Sequence, residues 1–198
     1  MEELEEASKF HGHLCPMFAF GFRMGKKALK ELGREREDGV KLMAVVEFKN
    51  CLADGIQYIC GTTYGKNNLF YKGSGKFAAS FYDLVSGKSL RISIKNEVLE
   101  DTLEYGVAGQ EVKRLPPNRR REEARRLFKM GKEVIKRLKE MGDGELFTIT
   151  KAEPFKAEEE PPLDFVICEG CGEVVLTHFI NEYGGKKVCN YCFERVDD

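Results

Sequence analysis

The last 34 residues of this 198-residue chain contain C-E-G-C at 168 to 171 and C-N-Y-C at 189 to 192. So short a stretch cannot bury a stabilising apolar core unaided. Seventeen residues separate the two pairs, which falls in the C-x₂-C-x₁₅₋₂₀-C-x₂-C window for a structural zinc site. Each C-x-x-C turn directs two thiolates at one cation, and two such turns complete a tetrahedron. Cys168, Cys171, Cys189 and Cys192 are therefore read as ligands of one Zn²⁺, which supplies the folding energy that a small core lacks. His178 lies between the two pairs and is able to replace a cysteine ligand, but four thiolates suffice, so it is read as packing or hydrogen-bonding within the ribbon hairpin. Residues 165–198 are expected to form a four-cysteine zinc ribbon, a closed site with no position for substrate. The exposed aromatic and basic residues of the ribbon can serve a protein partner.

Ahead of the ribbon, residues 153–164 hold three prolines and an acidic run and read as a stiff, solvated linker. Residues 1–152 are expected to be one core domain. Pro16 suits the first turn of a helix running to about Leu32 and ending at Gly33. Gly21, Gly25 and Ala28 fall near one stripe of that helix and admit a second backbone closely. Alternation of Val40, Leu42, Ala44, Val46 and Phe48 predicts a strand over 40–48. Asn50 is a candidate N-cap for a short helix to Cys60. Strands at 68–72, 76–82 and 90–94 are expected to form an antiparallel meander. A helix over 95–106 follows, and a second one, capped by Asn118, runs to about Met141. Its apolar stripe is Ala124, Leu127, Phe128, Val134, Ile135, Leu138 and Met141. A strand at 145–151 returns to the sheet. The fold class is α+β, an antiparallel-rich sheet packed with helices plus the ribbon.

His11, His13 and Cys15 stand at i, i+2, i+4 in F-H-G-H-L-C-P. The residue before a proline is biased toward extended backbone, which would project all three to one side. Cys15 would also sit at a helix N-terminus, where amides favour a thiolate. Two functional readings stay open: an open metal site, or a reactive cysteine with a histidine base. The alternative is that the histidines merely cap and pack the helix. In a helix beginning near residue 50, Cys51 and Cys60 face nearly opposite ways, so at most one reaches the site. Cys51 shares a face with Asp54 and Tyr58 and is taken as the fourth ligand; Cys60 is taken as a buried hydrophobe. The G-T-T-Y-G-K-N-N loop at 61 to 68 is either an ordinary loop or an anion-binding turn.

The net charge of −1 exerts no global pull toward nucleic acid or anionic membrane. Residues 113–140 nevertheless carry twelve Lys or Arg against four Glu, so nucleic acid is kept as a partner class. R-R-R at 119 to 121 lies near a helix N-terminus, where positive charge opposes the dipole and calls for a neutralising group. A 33% share of charged residues with only two glutamines fits an ion-pair-rich, thermophilic surface. No stretch reaches a membrane span, and the acidic start differs from a signal peptide, so a cytoplasmic location is expected. Thiols stay reduced there, which favours ligands over disulfides.

F-H-G-H-L-C-P, then G-F-R-M-G-K-K-A-L, then C-L-A-D-G-I-Q-Y-I-C-G-T-T-Y-G-K-N-N-L closely resemble the FmdE family, named for formylmethanofuran dehydrogenase, over residues 1 to about 152. The C-terminal cysteines match its subgroup with a zinc ribbon. The resemblance implies an α+β core, an intertwined homodimer and a metal-capable cluster falling on His11, His13, Cys15, Cys51, Asp54 and the 61–66 loop. The chain departs from the family pattern at Thr62, where the loop often has cysteine, and at Met17, where glycine is usual. The family name records an association with the molybdenum or tungsten enzyme that makes formylmethanofuran from CO₂. The implied function is a metal-binding accessory or regulatory protein of that system, with zinc in the ribbon and zinc or another transition metal in the core. Alternatives are a metal-dependent enzyme at the core site and a nucleic-acid-binding regulator or interaction module using the ribbon.

Overall fold

The computed structural model describes residues 2–36, 41–157 and 161–195, which group into two compact units, 1–154 and 155–198. The first opens with α1 (Glu2–His11), a helix that the sequence pattern does not predict. Its first turn carries Glu2, Glu3 and Glu5 and its last Lys9 and His11, the order that suits the helix dipole, and it buries Leu4 and Ala7. Gly12, at φ +87°, turns the chain into α2 (Pro16–Leu32). Pro16 takes the first helical position and Gly33, at φ +67°, ends the helix in the left-handed conformation. Phe18, Phe20, Met24 and Ala28 are wholly buried, so α2 is the spine of the core.

β1 (Leu42–Val46) leads into α3 (Cys51–Cys60), which Asn50 caps by accepting from the Leu52 amide at 2.9 Å. α3 and α2 cross backbone to backbone. A Cβ on Gly55 would stand 2.5 Å from the Phe18 carbonyl oxygen, and one on Gly21 would overlap the Leu52 carbonyl outright. No side chain fits at either position.

The sheet is completed by β2 (Leu69–Tyr71), β3 (Ala78–Asp83), β4 (Ser89–Ile94) and β5 (Phe147–Thr150), in the order β2-β1-β3-β4-β5. The expected three-strand meander is corrected here. β3, β4 and β5 are antiparallel neighbours, but β2 lies on the far side of β1 and runs parallel to it. α3 is the reason: two strands joined through a helix form a crossover, which delivers parallel pairing where a tight turn would not. Leu42, Ala44, Val46, Ala79, Phe81, Ile92 and Ile94 bury one face in the main core. Phe48 lies beyond β1 and is 37% exposed, and Val40 falls outside the described residues.

At the end of β3, Asp83 is 3% exposed and accepts from Arg34 at 2.6 Å. The guanidinium holds its carboxyl well below the usual carboxylate range. A lowered pKa contributes stability that is full above the unfolded value near 4 and is lost as pH falls. Asp83→Asn is therefore expected to cost about 2–3 kcal/mol at pH 7. In acid titrations followed by thermal unfolding, the gap from the parent protein should shrink below about pH 4.

The segment 95–106 is a 3₁₀ turn at Asn96–Val98 followed by α4 (Glu100–Arg114), longer than the periodicity indicated. α5 (Pro117–Glu140) then returns. Pro116 occupies its cap position and Pro117 its first turn, so Asn118 is not the cap. Arg120 resolves part of the R-R-R problem: it donates to the Leu115 and Lys113 carbonyls at 2.8 and 3.1 Å, closing the end of α4. Val134, Ile135 and Leu138 are buried, but Ala124 and Phe128 are exposed, so only the second half of α5 joins the core. Arg23 of α2 fixes that half, donating to the Leu138 and Met141 carbonyls and to Asp143 in the one-turn helix α6 (Asp143–Leu146).

The second unit contains β6 (Phe165–Ile167) paired with β7 (Val174–Leu176), β8 (Ile180–Tyr183) paired with β9 (Lys186–Cys189), and α7 (Asn190–Glu194). Gly184 and Gly185, at φ +59° and +77°, form the two-residue turn of the second hairpin. Among the described residues of this unit the buried cluster is Cys168, Val188 and Cys189, with Val175 and Cys192 partly buried against it. Among the described residues no helix is long and apolar enough to cross a membrane.

Candidate metal centres

The core site forms where three helix ends converge. His11 is the last residue of α1, Cys15 precedes the first turn of α2, and Cys51 opens α3. The segment before Pro16 is thus not extended throughout. α1 presents His11, and the Gly12 reversal brings His13 back beside it, with ring centroids 4.4 Å apart. One donor atom from each of His11, His13, Cys15 and Cys51 lies within 4.8 Å of the others. Four soft or borderline donors at that separation can hold a metal ion, and they suffice for a tetrahedron.

His11 is held in the orientation that a ligand needs. Asp54, one turn into α3, meets its Nδ1 at 2.6 Å, and its ring stacks on Phe18 at 5.1 Å. Nε2 is thereby aimed at Cys15 Sγ, 3.9 Å away. A carboxylate on the far nitrogen of an imidazole fixes tautomer and direction and raises basicity, the usual support for a metal-binding histidine. Asp54→Ala is expected to weaken metal affinity at this site by about 10–100-fold, read by competition with a chromogenic chelator, with Asp54→Asn retaining part of it.

The thiolate character falls on Cys51 rather than on Cys15. The Cys15 thiol donates to Cys51, and this hydrogen bond, helped by the nearby His11 and His13, draws Cys51 down to about 5. The same bond and burial push Cys15 up, outweighing the lowering from the Phe18 and Met17 amides. Cys15 is 4% exposed. A buried thiol with its proton held is a poor nucleophile until a cation displaces that proton. Tyr105 of α4 closes on the same region, its phenol pushed up by burial and then by Cys15 and Cys51.

Cys60 does not join the cluster. It is fully buried, lies 3.9 Å from the Gly25 carbonyl, and burial pushes its thiol up to about 12. The 61–68 loop is also outside the cluster, and its polar groups serve the loop itself. Thr63 Oγ1 accepts from the Lys66 amide at 3.2 Å, and Asn68 accepts from the Thr63 amide at 2.8 Å while donating to the Leu42 carbonyl at 3.0 Å. Thr62 is wholly buried, and its hydroxyl has no hydrogen-bond partner among the described residues.

In the second unit Cys168, Cys171, Cys189 and Cys192 form another four-donor cluster within the same 4.8 Å limit. The turns direct backbone amides at sulfur: Cys189 and Gly170 donate to Cys168 at 3.2 and 3.4 Å, and Cys192 donates to Cys189 at 3.5 Å. The Cys189, Cys171 and Gly170 amides together pull Cys168 down to about 6. Such donors stabilise thiolates, the form that binds a cation. His178 lies edge-on to Phe179 and takes no part. All seven cysteines are free thiols.

A crystal structure of a tungsten formylmethanofuran dehydrogenase FmdE-like protein from Syntrophus aciditrophicus shares this fold, with a TM-score of 0.62 and 24% identity over 97% of this chain and 90% of that one. A curated relative from Archaeoglobus fulgidus, described as a probable S-adenosyl-L-methionine-binding protein, is 32% identical over 180 residues, 87% of this chain and 48% of its own length. The chain thus spans about half of that relative. The family model described as "FmdE, Molybdenum formylmethanofuran dehydrogenase operon" matches residues 10–148, which hold every donor of the core cluster together with Asp54. The chain belongs to the FmdE family.

Proposed function

We propose that this chain is a metal-binding accessory or regulatory protein of a formylmethanofuran dehydrogenase system, with one metal in the core and a structural zinc in the C-terminal unit. The observation that carries this reading is the His11, His13, Cys15 and Cys51 cluster, with Asp54 behind His11. A set of two nitrogens and two sulfurs suits zinc, and four protein donors leave no position for substrate, which favours holding or sensing a metal over catalysis on it. Turnover would require one donor to leave, and His13, the exposed one, is the residue free to do so. The S-adenosyl-L-methionine binding named for the Archaeoglobus relative is not proposed, because half of that protein lies outside the match. Free thiols in both clusters fit a reducing cytoplasm.

The outer side of the α4 and α5 hairpin supports a homodimer. Leu103 and Val107 are 45% and 59% exposed and, with Met130, line an apolar trough on this face. Leu103→Asp/Val107→Asp should give monomers by sedimentation velocity.

The accessory role is tested by gel filtration of the metal-loaded and chelated chain with purified formylmethanofuran dehydrogenase. A complex that forms only with the loaded chain is expected; no complex in either state contradicts the role.

A further inference from the structure

α5 sorts its charges. Arg121, Arg125, Lys129, Lys132, Lys136 and Lys139 are all exposed. At 100° per residue they fall within an arc of about 80° that faces away from Val134 and Leu138 and is flanked on one side by Ile135, and at 1.5 Å per residue they run for about 27 Å. Glu122, Glu133 and Glu140 all lie outside that arc. The neighbouring cations are spoken for: Arg126 pairs with Glu122 and Glu123, and Arg137 with Asp101. Within the stripe Lys132 lies 4.6 Å from the Phe128 ring centroid, and the other five make no ion pair among the described residues.

The fold gains little from this row beyond Lys139 in the last turn, which suits the helix dipole, and Lys132 over Phe128. Like charges one turn apart, as in Arg121 and Arg125 or Lys132 and Lys136, weaken a helix. General basicity does not account for it either, since the chain carries a net −1. At the edge of the arc Phe128 is 60% exposed.

We propose that this face of α5 binds single-stranded nucleic acid, with the cations along the phosphates and Phe128 under a base. A straight row advancing about 4.5–6 Å per step suits a polyanion of regular repeat. The exposed ring beside it suits an unstacked base, which an acidic peptide does not offer and a duplex keeps paired. The proposal is independent of the metal centres, and its variants should leave metal content unchanged.

The test is fluorescence anisotropy of the full metal-loaded chain with a labelled 20-nucleotide DNA or RNA single strand and with the matching duplex, at several salt concentrations. Single strands should bind, the DNA and RNA arms showing which sugar is preferred. The logarithm of affinity should fall against that of salt with a slope of about −3 to −4, as five or six phosphate contacts require. Lys129→Gln/Lys132→Gln/Lys136→Gln should lower affinity at least tenfold and flatten the slope by about 2. Phe128→Ala should lower single-strand affinity about fivefold and leave the slope unchanged. Absence of binding at about 50 mM salt, an unaltered triple variant, or displacement by polyglutamate as readily as by unlabelled oligonucleotide would overturn the proposal. Should the triple variant fail to fold, the parent's salt slope and the Phe128→Ala result decide.

Discussion

Chelating the zinc proposed for the C-terminal unit is expected to unfold residues 165–195 while the α+β unit keeps its structure. The reason is how little that unit has to hold itself together. Its buried cluster is Cys168, Val188 and Cys189, and Phe165, Ile167 and Val174 are 59%, 62% and 68% exposed, so hydrophobic burial cannot offset the entropy of ordering its chain. Without a cation, four sulfurs within 4.8 Å of one another would bring mutually repelling thiolates together, or leave protonated thiols with nothing to bind. Structural zinc contributes on the order of 10–16 kcal/mol in peptides of this kind, comparable to a typical domain's whole stability. NMR of the full chain should show the amides of 165–195 collapse to unfolded dispersion on chelation and return with Zn²⁺. Persistence of their dispersion without metal would contradict this expectation.

Gly55→Ala is expected to be among the most damaging single substitutions in the α+β unit, with Gly21→Ala beside it. The added methyl at 55 meets backbone rather than a flexible side-chain end, with the Phe18 carbonyl oxygen at 2.5 Å and the Gly21 carbonyl carbon at 2.8 Å. α2 and α3 must separate, which loosens the packing of Phe18, Leu52 and Ile56 around the crossing. A cost of about 3–5 kcal/mol follows, at the upper end for a single change. Because Cys15 sits at the cap of α2 and Cys51 opens α3, the same separation should pull the core donors apart and lower metal affinity. Gly65→Ala, where an added Cβ has no neighbour within 4 Å, is the control and should leave the melting temperature unchanged.

Much of the fold was legible because local chemistry dictated it. Pro16, Gly33 and Asn50 mark helix ends through fixed φ, left-handed backbone and a side-chain cap, and each acts in the structure as its residue type demands. The meander misled because strand pairing depends on where α3 carries the chain, which no local pattern records. α5 misled in its first half because an apolar stripe says that a face is covered, not by what; Phe128 has the right spacing and yet faces solvent. At the core site, i, i+2, i+4 spacing suggested an extended run, whereas Gly12 ends α1 and achieves the convergence by a reversal. Asp54 was visible as a neighbour of Cys51 on one helix face. Its bond to His11, 43 residues away, is a tertiary fact.

Metal content per chain, measured by inductively coupled plasma mass spectrometry on the full-length protein and two paired variants, tests the central claim most directly. Two metal ions are predicted in the parent, one in Cys15→Ser/Cys51→Ser and one in Cys189→Ser/Cys192→Ser. A parent with a single ion, or a Cys15→Ser/Cys51→Ser variant that keeps both, would contradict it.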